Sequence, residues 1–117
     1  MTNTELGFAI TQLASPSAIS ATVPVVVTID NHGLQRGQVV RATRFYALPL
    51  ADATGMEQLN NRAFVVENTT TNTFELFDQY GEPIDGTNYT PYVPNGLGQF
   101  NLTGPELYTQ NLNVMET

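Results

Sequence analysis

The chain has 117 residues, the size of one domain and long enough to bury a core without staples. It contains no cysteine, which excludes disulfides, thiolate metal sites and cysteine nucleophiles. Eleven acids against four arginines give a formal charge of −7, which repels a phosphate backbone and makes nucleic acid a poor partner.

The first segment, residues 1–22, reads as an N-terminal arm. "ELGFAITQL" holds one short strand at most, and "ASPSAISA" is small and polar. The opening "MTNTELGFAI" lacks the positive start and apolar centre of a secretory signal, and no apolar run is long enough to cross a bilayer as a helix. No membrane partner is expected.

Residues 23–102 read as the folded domain. In "VPVVVTID", Val23, Val25, Val27 and Ile29 alternate, which places four β-branched side chains on one face of a strand. "DNHGLQRG" follows as a turn, with Gly33 and Gly37 suited to positive φ, and then "QVVRAT" as the next strand. The loop "FYALPLADATG" places Phe45, Tyr46, Leu48 and Leu50 around Pro49. Two readings of this loop stand: an apolar patch for another chain, or a lid that closes the core.

"RAFVVEN" and "TFELFD" predict a hairpin over 62–67 and 73–78, with Phe64 and Val66 on one face and Phe74 and Leu76 on one face of its partner. "GTNYTPYVP" and "GQFNLT" are weaker strand candidates, interrupted by Pro91, Pro94 and the Asn95-Gly96 turn signal. No long stretch has helical periodicity, so the fold class is all-β, a small β-barrel or sandwich. Residues 103–117, "TGPELYTQNLNVMET", form a C-terminal arm with scattered apolar side chains, Leu107, Tyr108, Leu112, Val114 and Met115. Such an arm orders against a partner or packs on its own barrel.

Little here is built for chemistry. His32 is the only imidazole, without the second ligand a histidine metal site wants or a visible triad. Its place in a Gly-rich turn makes it a corner residue. "DQYGEPID" brings Asp78, Glu82 and Asp85 close in sequence without the offsets of a calcium loop. Glu57 and Glu67 are the other acids weighed as a carboxylate pair. Tyr80, Tyr89 and Tyr92 offer either sugar-stacking surfaces or barrel packing. No catalytic residue, cofactor site or metal site is assigned, and the chain is read as not an enzyme.

The spacing of "HGLQRGQVV", then "GMEQLNNRAFVVENTTTNTFELFD", then "GTNYTPY" resembles a known small β-barrel module. That module was first described in the first catalytic-cysteine half-domain of ubiquitin-activating enzymes, and it recurs in virion and tail proteins of tailed bacteriophages. His32, Gly33, Leu34 and Gly37 match its opening turn. Gly55, Met56, Leu59 and Asn60 match its central turn, where Met56 and Leu59 pin the loop to the core. Phe64, Thr73, Phe74 and Leu76 match its strand pair, and Tyr89 and Tyr92 its closing element. Gln38 departs from the acid that usually follows the second glycine, and Asn61 stands where a glycine is usual.

The resemblance implies a structural virion protein of a tailed phage, in the tail or neck, assembled in the host cytoplasm with copies of itself and other virion proteins. The expected assembly interface is Phe45, Tyr46, Leu48 and Leu50 with Leu107, Tyr108, Leu112, Val114 and Met115. His32, Gly33, Gly37, Gly55 and Asn60 are expected as structural turn residues. The alternatives are a capsid decoration protein and a glycan- or receptor-binding module.

Overall fold

The computed structural model describes residues 11–49 and 51–104. Among them, seven strands form one antiparallel sheet: β1 (Thr11–Gln12), β2 (Ala18–Ile19), β3 (Val26–Thr28), β4 (Val39–Thr43), β5 (Ala63–Glu67), β6 (Thr73–Phe77) and β7 (Gln99–Gly104). Their order in the sheet is β1-β7-β4-β5-β6-β3-β2. The single helical element described is a 3-10 turn, Glu57–Leu59. The chain is all-β, as its residue pattern predicts.

Alternation sets the register. Val27 pairs with Phe74, Val40 with Phe64, Val66 with Leu76 and Ala42 with Phe100, and all eight side chains are buried. A slip of one residue in any of these ladders would turn its apolar set out to water. The predicted hairpin is β5–β6, closed by Thr70, whose backbone N–H donates to the Thr73 carbonyl and whose Oγ1 accepts the Thr73 N–H.

The sheet curls into a barrel-like shape. β6 and β7 lie three strand positions apart, roughly 14 Å across a flat sheet. Yet the Phe74 and Phe100 rings sit edge to face at 5.9 Å between centroids, so the two strands meet across the interior. The sheet's two edge strands, β1 and β2, are consecutive in the chain. The link between them is tied to both sides: the Leu13 N–H donates to the Phe100 carbonyl and the Ser17 N–H to the Thr28 carbonyl.

Two expectations need correction, and the sheet runs past the bounds of 23–102. Within residues 11–22 lie β1, inside the stretch read as one short strand, and β2, both paired into the sheet. The far boundary moves too, because β7 runs through Gly104. Val23 does not join the inward row: Val25, Val27 and Ile29 are buried, whereas Val23 lies ahead of Pro24, outside the strand, and is exposed. "GTNYTPYVP" is a loop rather than a strand, held by local turns such as Tyr89 N–H to Gly86 carbonyl. Two prolines in this stretch remove ladder donors.

Candidate assembly surface

The corner residues explain how the barrel places its loops. His32 is nearly buried at the end of β3. The Leu34 N–H donates to its Nδ1 at 2.9 Å, so the ring proton sits on Nε2 and donates to the Thr73 carbonyl, also at 2.9 Å. Its ring meets Phe74 edge to face at 5.1 Å. Both nitrogens are therefore committed to the backbone. Gly33 and Gly37 take positive φ on either side of the turn. Gln38 presents an amide oxygen that accepts the Gln35 N–H at 2.7 Å.

The central turn is a second corner. Gly55 has φ +68° and lies so close to the next loop that a Cβ would run into the Pro91 carbonyl. The Met56 N–H donates to the Thr90 carbonyl, and Met56 and Leu59 are fully buried. Asn60 keeps ordinary φ, and its Oδ1 accepts the Phe45 N–H. The left-handed residue is its neighbour Asn61, at φ 63°. Asparagine tolerates that region better than most residues.

The 45–53 loop is divided between the two functions weighed for it. Phe45 is buried against Phe100 and Tyr92, and it occupies the space that a Cβ on Gly98 would need. Its expected place in an assembly interface is therefore corrected: it closes the core and offers no surface. Tyr46 and Leu48 point out, 37% and 45% exposed. Leu50, Leu107, Tyr108, Leu112, Val114 and Met115 lie outside the described residues.

The base of the loop is fixed. The Tyr46 carbonyl accepts the N–H groups of both Thr54 and Gly55, and its N–H donates to Thr54 Oγ1. Thr54 is fully buried and in turn donates to the Gly55 carbonyl. Its own carbonyl accepts the Val93 N–H at 2.6 Å, which brings Val93, 40% exposed, to the same end of the barrel. Arg44, Tyr46, Ala51, Asp52 and Leu97 line one shallow depression of about 500 Å³ there. Val93 and Leu97 were missed in the sequence, although "YVP" carried a signal: an aliphatic residue next to proline in a segment that cannot be a central strand.

The remaining polar candidates serve structure. Asp78 Oδ1 accepts the N–H groups of Tyr80 and Glu82, and Asp85 Oδ1 accepts the N–H and hydroxyl of Thr87. The Thr87 hydrogen bonds hold the Asp85 carboxyl below its usual range. Glu57 Oε2 accepts the Thr90 hydroxyl, while Glu67 pairs with Arg36 at 2.7 Å, so each of these acids has its own partner. Among the described residues, no group of three or more His, Cys, Asp or Glu converges as a metal site.

The arginines are spread out. Arg36 is in that ion pair, Arg41 donates to the Asn61 carbonyl, and Arg62 donates to the Gln58 carbonyl and the Tyr89 hydroxyl. Tyr89 and Tyr92 pack on the core, and the Tyr92 hydroxyl donates to the Pro16 carbonyl. Tyr80 alone of the three is open, 80% exposed.

Compared with known proteins, the chain matches no family model and no curated protein.

Proposed function

We propose that this protein is a non-enzymatic structural subunit of a tailed-bacteriophage virion, in the tail or neck, assembled in the host cytoplasm with copies of itself and other virion proteins. The observation that carries the reading is the apolar tip of the 45–53 loop. Tyr46 and Leu48 are exposed, yet their loop is anchored at its base through Thr54 and Gly55 and seated by Phe45 in the core. An apolar contact held ready in one shape loses little entropy when a neighbour covers it, which favours association. The resemblance over residues 25–92 supplies the phage context. His32, Asp78 and Asp85 support the non-enzymatic reading, because their hydrogen bonds go to turns of the barrel.

Mass spectrometry of purified particles tests it, with tail and capsid fractions analysed separately. The chain is expected in the tail or neck fraction; recovery with empty capsids would favour a decoration protein, and absence from both would end the reading. Leu48→Asp is expected to leave thermal stability within about 0.5 kcal/mol, since the site is exposed. It should reduce incorporation roughly tenfold or more, the effect of about 1.4 kcal/mol at a desolvated contact.

A further inference from the structure

Resting on that reading, we propose that residues 105–117 of one copy seat on the Tyr46–Leu48–Val93 surface of the next, so that subunits join head to tail. The strand register supplies the first argument. Gln99 lies opposite Thr43 and Gly104 opposite Val39. The loop bearing Tyr46 and Leu48 follows Thr43, so it sits where β7 begins. The arm leaves where β7 ends, about 17 Å away at ~3.4 Å per residue. Donor segment and acceptor surface are thus at opposite ends of the barrel.

A second argument concerns the way back. β7 has β4 on one side and β1 on the other. Beyond β1, the Leu13 N–H takes the Phe100 carbonyl and the Ser15 hydroxyl takes the Gly98 carbonyl. Among the described residues, the β4 side of β7 is paired from Gln99 to Gly104 and its β1 side from Phe100 to Leu102, so no vacant ladder runs along that stretch for the arm to return by. Extended, the thirteen residues 105–117 reach about 43–47 Å, ample to cross to a neighbour.

The chemistry matches as well. The arm carries Leu107, Tyr108, Leu112, Val114 and Met115 among Glu106 and Glu116, with no cation. The acceptor offers exposed Tyr46, Leu48 and Val93, beside a depression that holds both Arg44 and Asp52, so the match is one of apolar groups. A contact between two different surfaces repeats from copy to copy, closing as a ring or continuing as a tube.

The absence of native cysteine makes the test direct. The full-length double variant Leu48→Cys/Leu112→Cys is oxidised and run on a non-reducing gel, after circular dichroism confirms an unchanged melting midpoint. The expected result is a ladder of multimers that collapses on reduction. A control pair, Leu48→Cys/Thr71→Cys, places the second thiol on the β5–β6 turn and should give no ladder. An intrachain disulfide would put the arm on its own barrel and overturn the proposal. So would no cross-link, or an equal ladder from the control. The particle experiment stands apart: a chain found in particles without the ladder keeps the subunit reading and removes the head-to-tail contact.

Discussion

His32 has two backbone partners, the Leu34 N–H and the Thr73 carbonyl; without the ring the Leu34 N–H is left unpaired, whereas the Thr73 carbonyl keeps the Thr70 N–H. An unsatisfied buried group costs about 1–3 kcal/mol, so His32→Ala is expected to destabilise the fold by about that much through the Leu34 N–H alone. A urea titration checks this: the midpoint should fall at unchanged slope. Gly55 and Gly33 make a paired prediction. Both have positive φ, but a Cβ at Gly33 meets open space while one at Gly55 meets the Pro91 carbonyl. Gly33→Ala should cost about 1–2 kcal/mol for its backbone alone. Gly55→Ala adds overpacking of about 1–3 kcal/mol and is expected at roughly 3–5 kcal/mol, read from the same titrations. The corner role of His32 was legible because a lone imidazole between turn glycines has few other tasks. Its partner Thr73, 41 positions away, was not, because only the long-range pairing of β3 with β6, which sets Thr73 opposite Thr28, brings that carbonyl to the ring.

Among elements, β5 and β6 were legible from their two-residue alternation, and β3 from Val25, Val27 and Ile29. β1 falls inside the stretch read as holding one short strand, but β2 was not legible, because two residues are too few to alternate. The short edge strand β2 also exposes few unpaired backbone groups, which limits edge-to-edge aggregation. The 86–94 loop failed as a strand because its tyrosines pack inward without a ladder. Tyr92 ties this loop to the β1–β2 link through the Pro16 carbonyl and lies 3.5 Å from Ser15 Oγ. Burial pushes its hydroxyl above the ordinary 10.0, opposed by the Ser15 bond. Because the folded value is raised, the unfolded chain loses this proton first. The contribution is full below about pH 10 and is lost as pH climbs through the folded value. Tyr92→Phe should therefore cost about 1 kcal/mol at neutral pH for its lost hydrogen bond. It should also show a shallower loss of stability than the parent above pH 10, measured by denaturation across the alkaline range.

At the scale of the whole molecule, closure depends on side chains far apart in sequence. Phe45 fills the barrel end because Gly98, 53 positions later, leaves room for its ring, and Tyr92 and Phe100 flank it. Nothing local to "FYALPL" separates Phe45 from Tyr46 and Leu48, which is why the sequence left lid and patch undivided. The curled sheet also bears on the C-terminal arm. β7 is paired with β4 as far as Gly104 and with β1 as far as Leu102, and Leu102 packs against the core, so the described pairs are made without residues past Gly104. A chain ending at Gly104 is accordingly expected to fold, with a melting midpoint close to that of the full chain, and to be lost from assembled particles. Circular dichroism melts alongside particle incorporation separate the two effects. Unfolding of the shortened chain would make residues 105–117 part of the barrel's own core and would take the donor segment away from any neighbour.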